Sequence, residues 1–338
     1  MSTMEATAAK IIDQPIVDQL VAHTSVEMEE VNKLLLSRVG SHVQMVPDIA
    51  NYLISAGGKR LRPMLTVAAA MMFEPKGQQH ISYAAAVEFM HTATLLHDDV
   101  VDESDKRRGQ DAPRKIWGNA ASVLVGDFLL GQAFMMMVDA GNLEALGILS
   151  RSAAIIAEGE VFQLTNAKDA NTKVDDYFEV IKAKTAALFE AATEVGAMAG
   201  GANLADRSAL KTYGAQLGIA FQLVDDALDY GGVSGTIGKN VGDDLREGKM
   251  TLPVLHALQN ASTTDAQFIR ENLGNQDASE KAVSRVVGIL QSCGALQTTL
   301  DRAYEHADLA KAALAPLAER NGARILIEIA DYCVERAA

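Results

Sequence analysis

Apolar residues recur every three or four positions along much of this chain. Val123, Phe128, Leu129 and Phe134 form one stripe, Ile148, Ile155, Ile156 and Phe162 a second, and Phe178, Ile181, Leu188 and Phe189 a third. A period near about 3.6 predicts amphipathic helices. The seven prolines stand at 15, 47, 63, 75, 113, 253 and 316, leaving none from 114 through 252. Proline breaks helix interiors, so this gap permits a succession of long helices. Breaks are predicted at Gly40, Gly57-Gly58, Pro75-Lys76-Gly77, Gly109 to Pro113, Gly141, Gly200-Gly201 and Gly231-Gly232. No convincing run of alternating strands appears. The pattern predicts about a dozen helices in a single all-α bundle. Residues 1–24 read as an N-terminal arm and 25–338 as one domain.

Two segments behave differently from the long middle. Gly231 to Met250 holds six glycines with almost no periodicity and predicts a long flexible loop, a length at which loops are usually functional or disordered. Gln267 to Ala338 predicts four ordinary amphipathic helices.

Composition narrows the function classes. The 338 residues are 49% hydrophobic but only 5% aromatic, which suits packed helices better than a β-sandwich. Forty-four acidic against 30 basic side chains give a net charge of −14, which argues against a nucleic-acid surface. The two cysteines, Cys293 and Cys333, lack metal-ligand spacing and read as buried thiols in a reducing compartment. The first 20 residues lack the basic patch and apolar core of a secretory signal. No uninterrupted apolar run approaches the about 18 residues of a bilayer span. The expectation is a cytoplasmic protein without a transmembrane segment.

Against this background, Asp98-Asp99-Val100-Val101-Asp102 stands out. Asp98 and Asp102 are four apart, so on a helix they share a face, and Asp105 continues it. Aspartate is a poor interior helix residue, and like charges at this spacing destabilise by about 0.2–0.5 kcal/mol per pair. One such cluster reads most simply as a solvated face balanced by Lys106, Arg107 and Arg108. Asp225-Asp226-Ala227-Leu228-Asp229 repeats it inside a second apolar helix, and two such ladders predict facing walls of one site. Hard oxygen ligands without nearby cysteine suit Mg²⁺ better than Zn²⁺ or copper.

Carboxylates alone repel an anionic substrate, so the cations matter. Lys59, Arg60 and Arg62 follow a glycine break at a helix start, where backbone N–H groups and the macrodipole also favour an anion. Arg107-Arg108 follows the first acidic motif, Lys182 and Lys184 lie in the middle helix, and Lys239 and Lys249 punctuate the glycine-rich segment. Each singly reads as surface solvation; together they predict a diphosphate site between the acidic helices. His91 and His97 are, by themselves, ordinary helical histidines.

Five motifs in this order resemble the trans-polyprenyl diphosphate synthases: GGKRLRP at 57–63, LLHDDVVDESDKRRG at 95–109, KTAALFE at 184–190, FQLVDDALDY at 221–230 and GKNVGDDLREGK ending at Lys249. The resemblance runs over roughly residues 25–335 and is closest to the long-chain octaprenyl and decaprenyl type that makes quinone side chains. It implies the isoprenoid synthase fold, a single helical bundle around a central active-site cavity, and usually a homodimer. It implies several Mg²⁺ ions bridging an allylic diphosphate through Asp98, Asp102 and Asp225, with Asp99, Asp226 and Asp229 completing the acidic walls. Arg107, Lys184, Lys239 and Lys249 are then the cations around that leaving group. Lys59, Arg62, His91 and Arg108 are the cradle for isopentenyl diphosphate, and Thr185 and Gln222 face the developing cation.

The resemblance also implies that product length is set by an apolar tunnel below Asp98. Ala93 and Thr94 lie one turn beneath, then Met90 and Phe89. Short-chain synthases often carry an aromatic blocker where Ala93 stands. An isoprene unit spans about one helical turn, so about four turns of this helix cannot hold an octaprenyl or decaprenyl chain. Other helices must continue the tunnel, with Phe134 to Met137 (Met135 among them) and Leu164 as candidate walls. Transient membrane contact during release of so apolar a product follows. The alternatives are a shorter-chain farnesyl or geranylgeranyl synthase, a terpene cyclase, which needs no Lys59/Arg62 cradle, and a non-catalytic subunit, which predicts lost aspartates.

Overall fold

The computed structural model describes residues 15–55, 58–107, 109–231 and 241–336. Helices α1 (Ile16–Arg38) and α2 (Met45–Ser55) lead into α3 (Leu61–Met71) and α4 (Gln79–Val101). A small antiparallel ribbon, β1 (Lys106–Arg107) with β2 (Gln110–Asp111), precedes α5 (Pro113–Trp117), α6 (Asn119–Asp139) and α7 (Leu143–Asn166). Helix α8 (Val174–Ile181) passes through a π-helical turn, Lys182–Ala186, into α9 (Ala187–Gly200) and then α10 (Leu204–Gly231). The C-terminal part holds α11 (Asp243–Glu247), α12 (Leu252–Asn260), α13 (Thr263–Asn272), α14 (Glu280–Ser292), α15 (Ala295–Leu314) and α16 (Ala323–Glu335).

Among the described residues the expected breaks are where these helices end, while Gly57 and Gly232 lie outside them. Pro113 occupies the first turn of α5, where its missing N–H costs nothing. Gly201, at φ +86°, closes α9 in the left-handed conformation that glycine adopts without strain. Helices α3, α4, α9 and α10 form the centre, with α6 packed on α4 and α15 on α10. Their close approach depends on missing side chains. A Cβ at Gly196 of α9 would lie 2.2 Å from the Thr66 carbonyl of α3, and one at Gly218 of α10 would lie 2.6 Å from Ala186 Cα.

Several expectations need correction. Helix α1 starts at Ile16 and buries Leu20, so the boundary expected at residue 24 falls inside a packed helix. Residues 232–240 of the expected glycine-rich loop lie outside the described residues, and its remainder contains a helix, α11, because Asp243 and Asp244 occupy its first turn and Gly242 and Gly248 cap it in left-handed conformations. The described residues form sixteen α-helices, two of which, α5 and α11, are too short to show a period.

Helix α6 departs furthest. It buries Ser122, Val125, Gly126, Leu129, Ala133 and Met136, while Leu124 is 68% exposed and Val138 61%. The helix has 21 residues, a mean hydropathy of 1.7, and only 39% of its apolar window buried, so it is long and apolar enough to cross a membrane. It passes by length and mean composition alone, since Asn119, Ser122, Asp127 and Gln132 interrupt its apolar run. Gly126 lies against His97 of α4, and Asp127 pairs with the same ring at 3.3 Å.

Candidate active site

One cavity of about 1150 Å³ opens between α4, α7, the π turn and α10, and both aspartate motifs reach it. Asp98 lies in the last turn of α4. Asp102 is its cap residue and donates its N–H to the Asp98 carbonyl at 2.8 Å. The helix stops there because Glu103 turns left-handed at φ +53° and the Ser104 N–H reaches back to the Asp99 carbonyl at 3.0 Å. Asp105 therefore leaves the acidic face and pairs with Arg114 at 3.1 Å, contrary to the expected continuation.

The β1–β2 ribbon folds Arg107 back toward the helix. Its Nε donates to Asp99 Oδ1 at 2.8 Å, and Nη2 bonds the same oxygen. Asp99 is wholly buried and lines no part of the cavity, so it supports Arg107 instead of completing the acidic wall. Burial pushes its carboxyl above the usual range, with Arg107 opposing.

Three aspartates facing the cavity have a cation from the protein. Lys249 pairs with Asp102 at 2.9 Å, Arg336 with Asp225 at 3.1 Å, and Lys184 lies 3.9 Å from Asp98. Burial raises the Asp102 carboxyl, but Lys249 and Lys184 outweigh it and hold the group below its ordinary value. Burial likewise opposes the charge on Lys249, yet Asp102, Asp244 and Glu247 keep it far above the usual amine range. Lys184 is fixed by Glu160 at 2.8 Å and Gln163 at 2.9 Å. Burial pushes the Glu160 carboxyl up to about 7 against the pull of Lys184.

On α10, Asp225 is the outward member of its motif. Asp226 is 3% exposed, and both its oxygens are taken: Oδ1 accepts from Gln222 Nε2 at 2.8 Å and Oδ2 from the Tyr177 hydroxyl at 2.7 Å. Asp226 nonetheless lines the cavity, and each of its oxygens accepts a single hydrogen bond. Burial and then Asp244 push its carboxyl up to about 7. Asp229 accepts the Asp244 N–H at 3.2 Å and so ties α11 to α10. Thr185, in the π turn, donates to Gln222 Oε1 at 2.7 Å.

A second basic group lines the same cavity. Arg62 Nη1 lies 3.2 Å from His91 Nε2, and its guanidinium sits 4.4 Å over the Phe189 ring. Lys59 donates to the Tyr332 hydroxyl at 2.7 Å. Arg60 instead caps α3 and bonds Asn32 at 2.7 Å, a structural task. Lys182 points outward to Glu179 at 2.9 Å, away from the cavity. Arg108 and Lys239 lie outside the described residues.

The tunnel residues divide. Thr94 lines the cavity, whereas Ala93, Met90 and Phe89 below it are packed into the core and line none of it. Met135 is 52% exposed and Leu164 is 55% exposed, so neither walls a passage within one chain. Helices α6 and α7 are apolar on their outer faces as well, and a hydrophobic period cannot tell those two sides apart. Sequence reasoning also passed over Glu160, Gln163, Tyr177, Tyr332 and Arg336, all of which line the cavity. Glu160 and Gln163 carry a faint signal, two polar residues three apart on a helix that otherwise reads as apolar; no motif marks Arg336.

Comparisons with known proteins agree with this geometry. The polyprenyl synthetase family profile matches residues 43–290. An octaprenyl diphosphate synthase of Escherichia coli (strain K12) is 45% identical over 93% of this chain and 97% of its own length. A polyprenyl synthase of Caulobacter crescentus CB15, solved with calcium and isoprenyl diphosphate, superposes with a TM-score of 0.92 at 49% identity, covering 95% of this chain and 98% of that one. A decaprenyl diphosphate synthase of Rhodobacter capsulatus gives 0.90 at 46% identity, covering 95% and 99%. With the all-helical fold and five ordered motifs in agreement, the chain belongs to the polyprenyl synthetase family and is a prenyltransferase.

Proposed function

We propose that this chain is a Mg²⁺-dependent long-chain trans-polyprenyl diphosphate synthase that adds isopentenyl diphosphate units to an allylic diphosphate, making octaprenyl or decaprenyl diphosphate for a quinone side chain. The observation that carries the reading is one cavity holding two aspartate walls, their cations, and a separate Lys59–Arg62–His91 group.

The donor set fits Mg²⁺. Asp98, Asp102 and Asp225 offer hard carboxylate oxygens, with no thiol or imidazole among them. Among the described residues no three acidic, His or Cys groups converge into a cage. Mg²⁺ is commonly held by one or two carboxylates plus substrate phosphates, which suits this open arrangement. When bound, it supplies Lewis-acid neutralisation of the departing diphosphate.

The protein's own groups do the rest. Lys184, Lys249 and Arg107, with Lys239 expected beside them, surround the allylic diphosphate with preoriented positive charge as its C–O bond breaks. Lys59, Arg62 and His91, with Arg108 expected beside them, hold isopentenyl diphosphate so that its double bond meets the allylic carbon. Thr185 and Gln222 turn oxygen atoms toward that cation. A new C–C bond forms, and the proton lost goes to the released diphosphate.

The exposed apolar faces of α6 and α7, including Leu124, Met135, Val138 and Leu164, support a homodimer covering them, as expected of the family. That occupant also accounts for a span-length helix in a cytoplasmic protein that touches membranes only to release product. Light scattering in solution reads the dimer directly. For product length, the small Ala93 supports a long chain, while Met90 and Phe89 packed beneath it favour a shorter one. Incubation with an allylic diphosphate, labelled isopentenyl diphosphate and Mg²⁺, followed by chromatography, decides between them. Products ending at three or four units refute the long-chain reading, and full turnover by Asp98→Ala refutes the site.

A further inference from the structure

We propose that Tyr177 is a positioning residue for the prenyl-transfer step: through Asp226 and Gln222 it sets the direction of the Thr185 hydroxyl, so that Thr185 presents a lone pair, not its proton, to the cationic carbon. The inference rests on the proposed placement of Thr185 beside that carbon.

Four side chains from three helical segments form one line. The Tyr177 hydroxyl donates to Asp226 Oδ2 at 2.7 Å, Gln222 Nε2 donates to Asp226 Oδ1 at 2.8 Å, and Thr185 Oγ1 donates to Gln222 Oε1 at 2.7 Å. Both Asp226 oxygens act as acceptors here, and Oδ1 takes its hydrogen bond from the NH₂ end of the Gln222 amide. That orientation leaves the amide oxygen for Thr185, whose single proton is thereby committed. The remaining lone pairs of Thr185 Oγ1 are what the cavity meets. Were the amide reversed, its NH₂ would occupy the hydroxyl oxygen as a donor and turn the Thr185 proton outward, where it would repel developing positive charge.

Tyr177 completes the arrangement by taking up the second Asp226 oxygen. Burial, with Asp226 next in effect, holds the Tyr177 phenol far above its ordinary range, so it stays a donor. The local backbone fits the same reading. In a regular helix a threonine hydroxyl commonly bonds back to a preceding carbonyl. Here the helix widens to an i→i+5 bond, with Ala187 N–H donating to the Lys182 carbonyl, and the Thr185 hydroxyl crosses to another helix instead. Such widened turns cluster at functional sites.

The test removes one oxygen atom. Tyr177→Phe keeps the buried ring and its volume. Steady-state kinetics with both substrates and Mg²⁺ should show kcat about tenfold lower, each KM within about twofold, and calorimetric affinity for Mg²⁺–inorganic pyrophosphate unchanged. A loss of shape alone would weaken binding and turnover together. In a Gln222→Met background, where the relay is already cut, Tyr177→Phe should cost nothing further; the same tenfold loss in both backgrounds overturns the relay. Full kcat in Tyr177→Phe beside a slow Thr185→Val also overturns it while leaving Thr185 at the cation. Full kcat in Thr185→Val removes both readings.

Discussion

Gly218→Ala tests whether the close packing of α10 is what seats the catalytic turn. Two effects of one methyl oppose each other. Alanine is the better helix former by about 1 kcal/mol. Against this, the new Cβ would stand 2.6 Å from Ala186 Cα and 3.2 Å from Phe189 Cβ. Carbon atoms rest at about 3.5–4.0 Å, so α10 and the π turn must part by about 1 Å. Overpacking of this kind costs about 1–3 kcal/mol, and backbone cannot yield as a side-chain tip can, so the clash prevails by up to about 2 kcal/mol. Ala186 directly follows Lys184 and Thr185, and a misplacement of about 1 Å in a catalytic site can cost about 100-fold in rate. Urea unfolding gives the stability change and steady-state kcat the functional one. Gly288→Ala on α14 is the control: nothing lies within 4 Å of its added Cβ, and stability should rise by about 0.5–1 kcal/mol with kcat unchanged. A Gly218→Ala protein that gains stability like the control and keeps full kcat refutes the reasoning.

Three further outcomes follow from the charges. Glu160 has its carboxyl raised by burial from 4.5 to about 7, so its contribution to stability is complete below pH 4.5 and lost as pH climbs through 7. Glu160→Gln in the substrate-free protein should therefore gain roughly 2 kcal/mol over wild type at pH 8 and nothing at pH 4, read by unfolding at both; equal gains at both pH values contradict the assignment. Arg107→Leu strands the buried Asp99 and should cost about 3–5 kcal/mol in urea midpoints. Adding Asp99→Leu should recover most of that but not kcat; a single variant as stable as wild type denies the buried pair. Arg336 competes with any cation at Asp225 through a half-exposed pair worth at most about 1 kcal/mol. Arg336→Ala should therefore tighten Mg²⁺ binding by up to about fivefold in calorimetry with inorganic pyrophosphate, and weaker binding would mean that Arg336 holds the diphosphate instead.

The helices and the two acidic motifs were legible because both are local. A period of apolar residues, a proline-free stretch and glycines at breaks describe α4, α9 and α10 without reference to anything distant. Asp98 and Asp225 were legible for a related reason, since an aspartate inside an apolar helix needs compensation from somewhere. Which carboxylate faces the cavity was not legible. Asp98 and Asp99 are neighbours, yet a helix turns successive side chains about 100° apart, and only the packing of α4 sends one to the cavity and the other to Arg107. Asp225 and Asp226 both line the cavity, but Asp225 pairs with Arg336 while Asp226 bonds Tyr177 and Gln222.

Sequence by itself determined an all-helical chain with acidic motifs, basic partners and a family, because helix propensity, periodicity and ordered motifs are properties of short stretches. Tertiary structure alone decided the pairing of Lys249 with Asp102 across 147 positions, of Arg336 with Asp225 across 111, and of Tyr177 with Asp226 across 49. It also decided that Met135 faces outward while Met136 faces in. Those outcomes depend on which helices meet and at what distance, and the distance is set in part by glycines such as Gly218, whose missing side chain matters only once a partner backbone lies against it.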